Sequence, residues 1–365
     1  MNVFPPENLK DILHKSLAKL ERFEECALLD YPNYLNLGDH LIWMGTILYL
    51  NDILKTKIKY VANLTNFSGE AMEKEAGNAP IFLSGGGNFG DLWPNIQKFR
   101  EKIITQYKDK PIIILPQSIY FANPDNLKKS AEVINQHPNL ILFTRDNYSH
   151  KIAIENFCNA QVIKAPDMAF EMLGMPGLQL NYKPKDSILY LYRQDRELNE
   201  KFSPDAIAIP NLVVEDWVSF KWVYGHPDSK INQSIATLVR EFWQRGLKTP
   251  DDWISRQKWQ QSHPYIAKFN GMYNSAIHRK SWSFIHSGIY QFYQHRLIIT
   301  NRLHGHILCI ILGIPHIFLP NSYYKNEGFY ESWTKLIPFC RFVKEPGEIK
   351  STAKELMELF PRGML

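Results

Sequence analysis

Leu297-Ile298-Ile299-Thr300-Asn301-Arg302-Leu303-His304-Gly305-His306 reads as an apolar strand running into a polar knot, which Ile307 to Leu312 continue as a helix. A strand that feeds a helix through so short a polar turn is the repeating unit of a parallel α/β sheet. Thr300 and Asn301 are both good helix N-caps, so Arg302 and His304 fall on the first helical turn, where unpaired backbone N–H groups favour an anion. A guanidinium grips two anionic oxygens at once and an imidazole exchanges protons readily, so one turn offers both recognition and proton transfer. The structural alternative is an arginine that braces a neighbouring segment and a histidine satisfied by a backbone carbonyl. His304 and His306 stand about 200° apart around a helix and cannot share one metal there.

The same rhythm runs outward from this stretch. Strands are expected at Cys26–Leu29, Ile58–Val61, Ile81–Leu83, Ile112–Leu115, Leu140–Phe143 and Gln161–Ile163, and helices at Leu41–Leu54, Pro94–Tyr107, Pro124–Asn135 and Asn147–Asn156. A second unit begins near Ser187–Tyr192 and takes in a helix at Ser281–His295 and the strands Leu297–Thr300 and His316–Leu319. At 365 residues the chain exceeds one core, and the expected division is 1–175, 186–345 and a C-terminal helix in 346–365 that crosses back to the first unit. Residues 205–280, rich in Trp and His, resist assignment.

A hydrophobic content of 45% and 22% charged residues fit a chain folded throughout. The net charge of +5 comes with no Lys/Arg block of the kind that tracks nucleic acid, so it suits anionic small molecules or a lipid surface instead. Cys26, Cys158, Cys309 and Cys340 form no Cys-x-x-Cys pair and read as core residues of a reducing compartment. The N-terminus lacks the pattern of a signal peptide, and the apolar runs are broken before spanning length. The cytosol, with the inner membrane face as a resting place, is the expected location.

In open α/β sheets the loops after the strands line the ligand crevice, so their chemistry decides function. Ser84-Gly85-Gly86-Gly87-Asn88-Phe89-Gly90-Asp91 removes three successive Cβ atoms and exposes backbone N–H groups to a ligand, although a tight turn uses glycine as well. It is neither a Walker loop nor a dinucleotide fingerprint. Asn36-Leu37-Gly38-Asp39 places a carboxylate just before a helix. Asp39 either caps that helix or takes a proton from a sugar hydroxyl, with Gly38 making room. Gln117 and Ser118 end the next strand. Arg145 beside Asp146 reads as a local ion pair, and Ala165-Pro166-Asp167 as a turn. Arg193 ends a second-unit strand facing the same crevice as Arg302, with Asp195 or Glu197 as its alternative partners. Without an Asp-x-Asp or a close His/Asp cluster, no obligatory metal is expected.

Taken in order, Asn36–Asp39, Gly85–Asp91, Leu115–Phe121, Asp167–Ala169, Arg302–Ile307 and Asn321–Tyr323 resemble the polysaccharide pyruvyl transferase family, in particular its bacterial exopolysaccharide branch, over residues 28 to 335. The resemblance implies two Rossmann-like domains facing across a cleft, similar to B-type glycosyltransferases. It implies transfer of the pyruvyl group of phosphoenolpyruvate, as co-substrate, onto two hydroxyls of one sugar, giving a cyclic ketal and phosphate. The acceptor is expected to be a lipid-linked precursor. Arg302, His304 and Arg193 would hold the donor. On chemical grounds His304 protonates the methylene carbon, and Asp39, or in competition Asp91, takes the hydroxyl proton. Further substrate contacts are expected from Asn36, Gly85, Gly86, Gly87, Asn88, Gln117, Ser118, Asn321 and Ser322. Two other readings stay open: a nucleotide-sugar glycosyltransferase of the same fold, and a non-catalytic glycan-binding subunit that stacks sugars on Trp217, Trp222, Trp243, Trp253, Trp259 or Trp282.

Overall fold

The computed structural model describes residues 4–180, 183–217, 258, 259, 261 and 263–362. Its first sheet takes β1 (Glu25–Leu29), β2 (Lys57–Ala62), β3 (Ile81–Leu83), β4 (Gly86–Gly90), β5 (Ile112–Tyr120), β6 (Leu140–Thr144) and β7 (Gln161–Lys164). The strand order is β2-β1-β3-β5-β6-β7, with β4 beside the second half of β5. The second sheet takes β8 (Lys185–Leu191), β9 (Leu212–Glu215), β10 (His295–Thr300), β11 (His316–Phe318) and β12 (Cys340–Phe342), in the order β12-β11-β10-β8-β9. Every pairing in both is parallel, as strands read as short continuous apolar runs require.

Period-two alternation sorts each strand between two cores. Ile113 and Leu115 of β5 join the large core, while Ile112 and Ile114 join the outer core of the first sheet. In β10, Ile298 points to the large core and Leu297 and Ile299 to the outer core of the second sheet. The large core runs unbroken from one sheet to the other through α2 (Leu37–Leu48), α8 (Ser275–Tyr293) and α9 (Leu303–Leu312). Eleven of the twelve residues of α2 are buried, so this helix is hydrophobic all round because it is covered all round. The remaining α-helices among the described residues are α1 (Glu7–Leu17), α3 (Gly69–Ala76), α4 (Pro94–Gln106), α5 (Pro124–Asn135), α6 (Asn147–Asn156), α7 (Pro264–Phe269), α10 (Lys325–Phe329) and α11 (Ile349–Leu359).

Three expectations are corrected. The glycine run is not a free loop: from Gly86 onward it is a strand, entered at a φ of +142° that glycine tolerates, and part of its backbone is committed to β5. Helix α2 starts four residues early, because Asn36 rather than Asp39 caps it. The C-terminal helix does not cross back. Ile349, Ala353 and Leu356 of α11 pack on the second sheet beside Leu297, Ile299 and Ile317.

Candidate functional site

A cavity of about 780 Å³ opens where the carboxyl ends of strands from both sheets converge. The loop after β1 supplies Asn36 and Asp39, and β4 supplies Gly87 and Asn88. Arg145 reaches it from the end of β6, Arg193 from β8, Arg302 and His304 from the start of α9, and Lys325 from α10.

His304 is held from two sides. A Cβ at Gly38 would lie 2.3 Å from its Nδ1, so the space that Gly38 leaves is filled by the imidazole and not by an approaching ligand. Its Nε2 is buried, makes no hydrogen bond, and lies 3.5 Å from Oδ2 of Asp167. Asp167 is itself fully buried; its Oδ2 accepts from Arg145 Nη1 at 2.5 Å and its Oδ1 from the Ala169 N–H at 2.9 Å. Burial alone would push this carboxyl up, but the Arg145 charge, His304 and the amide outweigh it and hold the group well below the usual carboxylate range. Arg145 also donates to Ser118 Oγ at 2.9 Å, and Ser118 donates to Asp146 at 2.8 Å. The expected Arg145–Asp146 pair is therefore replaced by a longer chain, in which Asp146 caps α6 through the Ser149 N–H.

Both predicted anion-binding arginines are already partnered. Arg302 donates Nε and Nη2 to the two oxygens of Asp216, at 2.5 and 2.6 Å, and its Nη1 stands 3.6 Å from Asp195. Arg193 makes the same two-pronged contact with Asp195, at 2.8 and 2.9 Å, and a third bond to Glu197. Glu197 also pairs with Lys325. Burial pushes the Glu197 carboxyl up, yet Lys325 and Arg193 together bring it down to about 2. Lys325 is pulled down to about 8 by burial, which Glu197 opposes and Arg193 reinforces.

Asn36 donates to Asp39 Oδ2 at 2.7 Å and caps α2 through the Gly38 N–H, while the Tyr34 phenol bonds the same carboxylate. Asp30, at the end of β1, is pushed up to about 6 by burial, opposed by Arg100 and reinforced by Asp39.

The structure thus gathers Asp39, Asn36, Gly87, Asn88, Arg193, Arg302 and His304 around one cavity, and leaves the other predicted residues out of its wall. Asp91 is removed as the competing base: its two oxygens accept from the Ala122 and Asn123 N–H groups and from Asn126 at the start of α5. Gly85 packs on Pro116, Gly86 starts β4, and Gln117 donates to the Ser84 carbonyl at 2.8 Å within the sheet. Ser118 supports Arg145 from below. Asn321 and Ser322 bond Glu197 and hold the loop that carries Lys325. Trp217 is on the cavity wall, whereas Trp259 and Trp282 stack on each other at 4.7 Å inside the core; Trp222, Trp243 and Trp253 lie outside the described residues. Cys158 is exposed, and the other three cysteines are buried thiols.

Sequence reasoning passed over Arg145, Asp167, Lys325 and Asp216 as site residues. Asp216 had a signal: Val213-Val214-Glu215-Asp216 repeats the apolar-then-charged pattern that singled out Arg193.

The polysaccharide pyruvyl transferase profile matches residues 36–323, so the chain belongs to that family. It is 31% identical to the pyruvyl transferase candidate EpsO of Bacillus subtilis, over 92% of this chain and 94% of that one. It is 27% identical to pyruvyl transferase 1 of Schizosaccharomyces pombe, over 85% of this chain and 70% of that one. The crystal structure of a functionally uncharacterised Klebsiella pneumoniae protein superposes with a TM-score of 0.54 at 20% identity, covering 92% of this chain and 99% of that one, a likeness of fold. The family makes the protein a pyruvyl transferase acting on polysaccharide. Among the described residues no helix is long and apolar enough to cross a membrane.

Proposed function

We propose that this protein transfers the pyruvyl group of phosphoenolpyruvate to two hydroxyls of one sugar in an exopolysaccharide precursor, releasing phosphate and leaving a cyclic ketal. The two sheets then act as Rossmann-like halves of a B-type glycosyltransferase arrangement, with the cavity as their cleft. The precursor is lipid-linked and the reaction runs at the cytoplasmic face of the membrane. The observation that carries this reading is the single cavity where Asp39 from the first sheet meets Arg193, Arg302 and His304 from the second.

The donor is a small dianion or trianion. The positive charge of Arg193, Arg302, Arg145 and Lys325 on one wall, with the start of α9, complements its carboxylate and phosphate. His304 gives a proton to the methylene carbon, which becomes a methyl group and leaves the central carbon electrophilic. The first sugar hydroxyl bonds to that carbon and its proton passes to Asp39. The carbon–oxygen bond to phosphate then breaks, phosphate takes the electron pair and the proton held by Asp39, and the second hydroxyl closes the ring as its own proton returns to His304. Asp167, 3.5 Å from Nε2, and Gly38, packed against the Nδ1 side, hold the His304 ring in one orientation on the cavity wall. The cations stabilise charge on the departing phosphate, an effect that is strong in a preorganised, partly dry site.

The test is phosphate release from phosphoenolpyruvate in the presence of lipid-linked and free galactosides, glucosides and N-acetylhexosamines. Release that needs both donor and one glycan supports the reading. No consumption across the panel, together with thermal protection by a uridine or guanosine diphosphate and none by phosphoenolpyruvate, turns it over in favour of a nucleotide-sugar donor.

A further inference from the structure

On the side of α9 turned away from the cavity, three ligand-type side chains from three elements meet in the core. His306 of α9 has Nδ1 2.7 Å from Nε2 of His316 in β11 and 3.6 Å from Sγ of Cys340 in β12. All three residues are buried, and their donor atoms lie within 4.8 Å of one another.

The outer nitrogens are placed as metal-bound histidines need them. His316 Nδ1 stands 2.8 Å from the Ile314 carbonyl, which can only accept, so the ring proton is on Nδ1 and the lone pair of Nε2 points at the cluster. His306 Nε2 lies 2.9 Å from the Thr334 hydroxyl, a group able to accept from it. Metal-bound imidazoles are oriented through just such second contacts. Of the three donor pairs one distance agrees, one requires the rings to part, and the third, Cys340 Sγ to His316 Nε2, lies within 4.8 Å and must come to about 3.5 Å. With Zn–N near 2.0 Å and Zn–S near 2.3 Å, a tetrahedral edge between nitrogen and sulfur is about 3.5 Å, close to the 3.6 Å observed. The corresponding N···N edge is about 3.3 Å, so the two rings must part by roughly 0.6 Å.

We propose that His306, His316 and Cys340 form a structural site for a thiophilic ion of the zinc or copper(I) kind. Two imidazoles and a thiolate, with no carboxylate in the cluster, select such an ion over magnesium or calcium. On binding, the Cys340 thiol gives up one proton to solvent, and the proton shared between the imidazoles is replaced by one on His306 Nε2, donated to Thr334. The ion ties α9, β11 and β12 together two residues from His304 and takes no part in the reaction.

The full-length protein is purified without chelator, its metal content measured, and the stripped form titrated with Zn²⁺, with copper(I) and with Co²⁺ as a spectroscopic stand-in. The expected results are one equivalent per chain, a thiolate-to-cobalt charge-transfer band, and a Tm rise of roughly 3 to 4 °C at metal a hundredfold above its dissociation constant. The band and the rise are lost in Cys340→Ser and His316→Gln. A stripped wild-type protein that takes up none of the three ions overturns the site and leaves a hydrogen-bonded relay from Thr334 to Ile314. So does metal that stays bound in both variants. Should the variants fail to fold, X-ray absorption of the metal-loaded wild type decides: a mixed nitrogen and sulfur shell supports the site, and a shell without sulfur overturns it.

Discussion

His304 and His306 sit two residues apart on one helix and are put to opposite uses. His304 lies on the cavity wall between Gly38 and a carboxylate fixed by an arginine. His306 stacks at 4.1 Å on Phe318 and faces another imidazole, and burial drives its basicity far below the ordinary value, with His316 adding to the effect. The helix has turned by about 200° between them, enough to exchange a ligand-facing surface for the core. Identity of residue type therefore says little; the face of the helix decides.

Substitution at the two positions should separate the roles most sharply. His304→Ala is expected to lower kcat by about 10² to 10⁴ with Tm nearly unchanged, since a positioned proton donor is lost and no core is opened. His306→Ala should cost about 2 to 4 kcal/mol of stability and leave kcat of the folded fraction near the wild-type value, because a buried cavity and an unpaired His316 remain. Chemical denaturation beside steady-state kinetics reads both, and a swap of the two outcomes breaks the contrast. Gly38→Ala tests the clamp on the cavity-side ring. The added Cβ must move the imidazole, and a displacement near 1 Å is expected to cost about a hundredfold in kcat, with a smaller change in KM.

Arg302→Lys should raise the donor KM about tenfold, because a point charge replaces a two-pronged grip; wild-type KM in this variant would show that the fork does not touch the donor. The carboxylates around the cavity should also set an acid limit. Glu197 has a folded-state value of about 2 against an ordinary 4.5, so the stability it contributes is complete above pH 4.5 and is lost as pH falls toward 2. Tm between pH 5 and 2.5 should fall less steeply in Glu197→Gln than in the wild type. The smallest expected effect is at Asp91: Asp91→Ala loses its hydrogen bonds to the turn before α5, about 1 kcal/mol, and leaves turnover intact. A large loss of turnover there would restore Asp91 as a base.

Much of this architecture was legible from local rules. The short apolar run Ile112–Leu115, and the polar turn after Ile299, pointed to parallel strands and their helices, and α5 and α6 fall on their expected residues because Asn123 and Asp146 cap them. β4 and β12 were not legible. A run of glycines carries no side-chain period, and three residues, Cys340 to Phe342, are too few for one. In the site, residue type marked Arg193, Arg302, His304 and Asp39, since charged groups at strand ends have few structural uses. Partners were beyond reach: nothing local joins Arg145 to Asp167, or Arg302 to an aspartate 86 positions away. Asp91 misled because a carboxylate that ties down a neighbouring turn and one that serves as a base look alike in a sequence.

The fork between Arg302 and Asp216 has a consequence for how an anionic substrate arrives. A guanidinium anchored at two points has surrendered its rotamer freedom, about 2 kcal/mol, during folding rather than at capture, so the incoming molecule meets a fixed plane. Holding that plane requires the pair to stay closed, and because it is largely buried, added salt should screen it only weakly.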